Sequence, residues 1–196
     1  MLKVKFMRRA ISNFYKYIFL LKRLKRTGWY KYWGVDKKES ESVAEHSFAT
    51  ALLAYIIAQE YKPELNLEKI LSLALIHDLA ESIVGDIPLR DNFPKDEKHI
   101  LETNAIQDIF KDFVNRDKFL AIWKEYEEGK TPEAKFVKEI DKLEFVFQAF
   151  WYKKENFGIR DAEEKGLNYF EYAEKLFSDD AIVSILKLIK KNDSEL

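Results

Sequence analysis

The sequence predicts an all-α fold in one domain, and three observations carry that prediction. Only 6 Gly and 4 Pro occur in 196 residues, too few punctuating residues for many short elements. Apolar side chains recur at helical spacing in one segment after another, and no stretch of useful length alternates with period 2. The clearest local signals are helix starts. Hydrophobic residues make up 47% and aromatics 15%, which excludes disorder, and the length suits a single domain (1–196) with its own core.

Taken in order, Ile11, Phe14, Ile18, Leu21 and Leu24 mark a helix over residues 6–24. Residues 26–41 hold Gly28, Gly34 and many polar groups and predict a loop, an aromatic one with Trp29, Tyr30, Tyr32 and Trp33. Ser42-Val43-Ala44-Glu45 is a capping box, opening a helix to about Tyr61. Asn66 caps a helix from Leu67 to about Ile83, which Gly85-Asp86-Ile87-Pro88 breaks. Helices over residues 95–113 and 116–127 follow. Thr131-Pro132-Glu133 combines a cap, a proline at the first helical position and an acid in the first turn, and starts a helix to about Tyr152. Two more helices are expected over residues 161–177 and 179–190. No internal repeat is present.

Composition narrows the function. The 33 basic and 34 acidic side chains leave a net charge of -1, so bulk charge favours no nucleic-acid partner. Twelve of the basic residues fall in the first forty positions, opposed by Asp36 and Glu39. The simplest expectation is a solvated face whose apolar side joins the core or a second copy. Zero cysteines exclude disulfides, thiolate catalysis and cysteine-ligated metals. The apolar run 11–24 is interrupted by Asn13 and Lys16 and is followed by Lys22, Arg23, Lys25 and Arg26 with no cleavage site, unlike a signal peptide. A cytoplasmic protein without a membrane partner is expected.

Chemistry concentrates at His46, His77-Asp78 and Asp141. The run Ala74-Leu75-Ile76-His77-Asp78-Leu79-Ala80-Glu81 is otherwise a buried-helix pattern, and an imidazole and two carboxylates on adjoining turns need compensation when buried. A single such histidine is most often an ordinary core or surface group. Four together, with Glu81 one turn on, point instead to a catalytic metal with open positions. Imidazole with carboxylate suits Mn, Fe, Co, Ni or Zn, with Mg as a further option. On a helix His77 and Asp78 lie four and three residues before Glu81, so the three face one cleft. Arg26, Lys135 and Lys138 are the candidate phosphate cations. Trp29 is a candidate to stack on a base or wall off a sugar, although a tryptophan in an aromatic loop packs on the core at least as often. His99, in the charged run Asp96-Glu97-Lys98-His99, is expected to be solvated.

The wider blocks carry a resemblance. Ser42-Val43-Ala44-Glu45-His46, the stretch His77-Asp78-Leu79-Ala80-Glu81-Ser82-Ile83-Val84-Gly85-Asp86-Ile87-Pro88, and Glu133 through Lys142 together resemble the HD-domain metal-dependent phosphohydrolases, and within them the 5′-deoxynucleotidases. The resemblance implies an all-helical fold and one divalent metal held by His46, His77, Asp78 and Asp141. It implies catalytic roles for Glu81 and Asp86, substrate contacts from Arg26 and Trp29, and a homodimer. The implied reaction is hydrolysis of deoxyribonucleoside 5′-monophosphates. Other hydrolases of that superfamily, acting on nucleoside triphosphates or alarmones, and a nucleotide-binding module without turnover are the alternatives. The stretch from Trp29 to His46 is longer than in the family, which leaves Trp33 as an alternative to Trp29.

Overall fold

The computed structural model describes residues 2–194, without the side chains of residues 2–7, Arg160 and Asp161. The ends of the expected domain, and Lys3 and Lys5 of its basic N-terminal stretch, therefore lie outside the described side chains. Among the described residues the chain is helical, and its β-type pairing is one isolated bridge between Lys25 and Ser42. The helices are α1 (Leu2–Arg23), α2 (Thr27–Tyr32), α3 (Val43–Tyr61), α4 (Leu67–Ile76), α5 (Glu81–Val84), α6 (Lys95–Phe110), α7 (Arg116–Glu128), α8 (Pro132–Lys154), α9 (Ile159–Glu164), α10 (Tyr169–Glu174) and α11 (Asp180–Asp193). A 3-10 turn covers Leu89–Asp91.

The strong start signals appear where the side chains call for them. Ser42 and Glu45 close the capping box reciprocally, Asn66 accepts from Lys69 N, and Thr131 accepts from Ala134 N with Pro132 behind it. Three expectations need correction. The predicted loop at 26–41 contains α2, because Trp29 and Trp33 lie one turn apart and both enter the core. The Asp86 carboxylate also accepts from Thr27 N at that helix's start, a cap supplied from 59 residues away. The predicted helix at 161–177 is two short ones, interrupted at Gly166 (φ +83°) and restarted by Asn168, which accepts from Phe170 N and Glu171 N. The predicted helix at 67–83 ends at Ile76, for a reason that belongs to the site.

Helix α8 is the spine. Ala134, Val137, Ile140, Leu143, Val146 and Ala149 recur every three residues and are fully buried. Fully burying a Leu, Ile or Val side chain contributes about 1.5–3 kcal/mol. That face packs against α3, α4, α7, α9, α10 and α11. A second apolar cluster joins Tyr17 and Leu21 of α1 to Val43, to Ile106, Ile109 and Phe110 of α6, and to Trp123 of α7. The segment after α2 reaches the core through Gly34 and Gly158, whose backbones nearly touch. A Cβ on Gly158 would lie 2.1 Å from the Gly34 carbonyl oxygen, and its φ of +96° already disfavours any other residue.

One buried charge on α8 serves packing alone. Glu139 accepts from Ser178 N at 3.1 Å, Ser178 Oγ at 2.6 Å and Asp179 N at 3.0 Å, pinning the entry of α11. Glu139→Ala strands these donors and is expected to lower unfolding stability by about 2–3 kcal/mol. A shift of the urea midpoint at unchanged m-value checks this.

Candidate metal centre and substrate cavity

His46 sits one residue beyond the capping box that fixes the first turn of α3, and its ring is fully buried. Its Nδ1 faces Glu144 Oε2 at 2.6 Å, so in the neutral ring the proton belongs on Nδ1 and the Nε2 lone pair points the other way. His77 reaches the same arrangement differently. Its Nδ1 lies 2.7 Å from the Ala74 carbonyl oxygen, the acceptor that the amide of Asp78 would use in a continuing α-helix. Helix α4 therefore stops, and the chain tightens into three-residue hydrogen bonds (Leu79 N to Ile76 O, Glu81 N to Asp78 O, Ser82 N to Leu79 O) that lead into the start of α5. Asp78 and Glu81 are presented by that tight turn, and Asp141 by the middle of α8.

The four donors converge. His77 Nε2 lies 3.1 Å from Asp78 Oδ2 and 3.4 Å from His46 Nε2. His46 Nε2 lies 3.2 Å from Asp141 Oδ1 and 3.5 Å from Asp78 Oδ2. Ligands about 2.1 Å from a shared cation are separated by roughly 3.0–3.4 Å in octahedral or tetrahedral arrangements. With both Nδ1 protons spoken for, the Nε2 lone pairs and two carboxylates would face one another across a buried space. That arrangement is repulsive unless a cation lies among them. The donor set fits a divalent metal: His46, His77 and Asp78 form one compact group, and Asp141 adjoins it through His46.

The surroundings set the charges. Burial and Arg26 press the His46 proton affinity down, but Glu144 and Asp141 outweigh them and raise it to about 10, so protons and metal compete for the ring. Burial would raise Asp141, yet Lys142, with Nζ 2.6 Å from Oδ2, and His46 hold it well below the usual carboxylate range. Tyr126 Oη donates to the same Asp141 oxygen at 3.2 Å. Burial, then Asp78 and Asp86, hold the Glu81 carboxyl well above its ordinary value. Behind His46, burial and Glu144 lift Glu41 to about 7. The Arg26 guanidinium lies 3.9 Å from both Glu41 and Glu144, and its buried Nη1 has no hydrogen-bond partner. That guanidinium explains how two buried carboxylates sit beside one imidazole.

The centre opens into a cavity of 630 Å³. Arg26, Lys138 and Lys142 line it near Asp78, Glu81 and Asp141, and Asp86 stands on its wall. Lys138 lies over the Tyr126 ring at 4.3 Å, and burial, despite nearby acids, lowers its proton affinity. Trp29 lines the cavity but is built into the core. Its ring stacks on Phe145 at 4.8 Å, and its Nε1 donates to Glu41 at 2.8 Å. Lys135 corrects an expectation: it is exposed and absent from the lining, because it lies a turn beyond the cavity's end on α8. His99 is exposed as expected, but it stacks on Trp123 at the cavity rim.

Sequence reasoning missed Lys142, Tyr126 and Glu41, and passed over Glu144. Glu144 carried a signal, being a second acid on the buried stripe of α8 three residues after Asp141. Tyr126 carried none.

Fold and site together define a helical, metal-centred hydrolase of the HD type. The chain belongs to the HD domain family, whose model matches residues 19–176. It is 39% identical over 162 residues to the 5′-deoxynucleotidase hdd1 of Schizosaccharomyces pombe, covering 80% of this chain and 76% of that one. It is 40% identical over 147 residues to the human 5′-deoxynucleotidase HDDC2, covering 74% and 69%. A solved structure of a conserved hypothetical protein from Pyrococcus furiosus superposes with a TM-score of 0.73 at 30% identity, covering 91% of this chain and 98% of that one.

Metal content after dialysis tests the centre without reference to activity. His77→Ala and Asp78→Ala are expected to retain the helical circular-dichroism spectrum and lose tightly held metal. Glu144→Gln, which alters the support of His46 and the group facing Arg26 but none of the four ligands, should weaken metal affinity roughly 10–100-fold.

Proposed function

We propose that the protein hydrolyses deoxyribonucleoside 5′-monophosphates to deoxynucleoside and phosphate at this divalent-metal centre. The observation that carries the proposal is the juxtaposition of the donors around His46 with Arg26, Lys138 and Lys142 of the cavity lining, in a chain about 40% identical to 5′-deoxynucleotidases over three quarters of its length. His46, His77, Asp78 and Asp141 would hold the metal, with Mn, Co, Ni, Fe or Zn suited to that donor set and Mg a further option. Such an ion, when bound, polarises a phosphoryl oxygen and lowers the pKa of a bound water.

The remaining work falls to the chain's own groups. Lys142 and Lys138 on α8, with the unpartnered Nη1 of Arg26, supply positive charge for the phosphate dianion. Glu81, held unusually basic by burial and by Asp78 and Asp86, takes up the proton of the attacking water at its carboxylate. Asp86 commits one oxygen to Thr27 N and keeps the other for a sugar hydroxyl or the departing 5′-oxygen. The relatives carry a monophosphate hydrolase's name, which favours this substrate class over triphosphates and alarmones.

A metal-free preparation given Co, Mn, Mg or Zn singly is expected to release phosphate from dAMP, dGMP, dCMP, dTMP and dUMP far faster than from their ribo counterparts. Loss of release in His77→Ala and Asp78→Ala should accompany loss of metal. Release of pyrophosphate or triphosphate from longer substrates, with none from monophosphates, would move the reaction to the other class.

We also propose a homodimer formed through α1 and α3. Ile11, Tyr15, Ile18 and Phe19 on α1 and Phe48, Leu52, Tyr55 and Ile56 on α3 repeat one spacing, and each is 38–67% exposed. The two helices are neighbours. These side chains present on the order of 800 Å² per copy, more than most monomers expose in one patch and enough for one side of a stable interface. Sedimentation is expected to give twice the monomer mass, and Tyr15→Glu with Phe48→Glu the monomer.

A further inference from the structure

The cavity's far end is built unlike its metal end. Tyr32, Trp33 and Tyr172 line it, and the Arg90 guanidinium lies 5.9, 5.5 and 5.9 Å from their ring centroids. Ring faces balance the cation's charge but accept no ordinary hydrogen bonds, so the five guanidinium donors stay available. Among the described residues no carboxylate pairs with Arg90. Its neighbour Asp91 is engaged instead by Lys31 Nζ at 2.6 Å and by Tyr32 Oη. With Asp86 on Thr27 N, these contacts tie both ends of the segment 86–91 to α2 and hold Arg90 in place.

We infer that this end is a nucleobase subsite, in which Arg90 presents its donors to the acceptor edge of the base. The inference rests on the monophosphate reading above, since it assigns the part of that substrate the metal end leaves unaccounted for. The spacing suits a nucleotide. Phe145 follows Asp141 by four residues, about 6 Å along α8. The Tyr172 ring centroid lies 5.4 Å from that of Phe145. A sugar fits between phosphate and base on that scale. The Arg90 guanidinium and the rings around it also offer planar faces for a base to stack on. Its edge matches guanine, whose O6 and N7 both accept, better than adenine, whose N6 is a donor.

Steady-state kinetics with dGMP, dAMP and deoxyribose 5-phosphate on wild type, Arg90→Gln and Tyr172→Ala provide the test. Arg90→Gln is expected to raise KM for dGMP about tenfold, the ratio equivalent to a 1.4 kcal/mol contact. It should raise KM for dAMP less, and leave kcat and the kinetics of base-free deoxyribose 5-phosphate unchanged. Tyr172→Ala, which removes a ring beneath Arg90 and no charge, should move the same parameters in the same order. An equal rise for all three substrates would assign Arg90 to the phosphate or the fold and overturn the subsite, as would no change for any. If wild type releases no phosphate from any of them, the proposed reaction fails separately. Equilibrium dialysis then decides the subsite: dGMP held more tightly by wild type than by Arg90→Gln supports it, and equal retention overturns it.

Discussion

The structure turns on one electrostatic constraint: the His46 Nε2 atom lies within 3.5 Å of the His77 Nε2 atom and of the carboxylates of Asp78 and Asp141, in a place largely closed to water. Each imidazole has committed its Nδ1, one to Glu144 and one to a main-chain carbonyl. Desolvation makes such a convergence unfavourable without a cation, and a divalent metal resolves it. The consequences extend outward from there. Glu144 is buried against His46 and Arg26 lies against it, and Glu41 shares that same guanidinium. Trp29 then donates its indole N–H to Glu41, and the Glu41 amide donates to Tyr152 Oη at 2.7 Å. A chain of partners thus runs from the centre to the C-terminal end of α8.

Helix α8 joins stability to chemistry because a long helix can present different faces to both. Its apolar face binds six other helices. The adjoining stripe carries Lys138, Asp141, Lys142 and Phe145, which line the cavity at successive turns. Their mutual distances are therefore set by helical geometry and by the packing of Ile140, Leu143 and Val146 behind them, which leaves little freedom for the site to drift.

The cavity divides by charge. Cations beside carboxylates mark the end that meets phosphate, and rings beneath a guanidinium mark the other. Both ends depend on α2, whose first amide is capped by Asp86 and whose last turn carries Lys31 and Tyr32, the partners of Asp91. A short aromatic helix thereby aligns the two halves of a binding surface whose other residues come from the turn at His77 and Asp78, from α5 to α8, from α10 and from the segment after α5.

Much was legible in the chain itself. Helical periodicity, caps at Ser42, Asn66 and Thr131, and scarcity of Gly and Pro determined the all-α class, because these signals act within a few residues. The ligand set was legible because imidazole and carboxylate at buried spacing around residues 77–81 conflict with a simple core helix, and the motif blocks restored His46 and Asp141 to them. Tertiary structure alone decided the rest. Helix α4 ends at Ile76 because the His77 ring takes the Ala74 carbonyl, and α2 forms because Asp86 reaches its first amide, contacts that no local propensity encodes. Lys135 and Lys142 share a helical stripe, and only the extent of the cavity separates a surface lysine from one against Asp141. Glu41, Tyr126 and Arg90 acquire their partners across 12 to 111 residues of sequence, from Trp29 with Glu41 to Glu41 with Tyr152. Such pairings follow from how the helices pack, and local sequence carries no record of that.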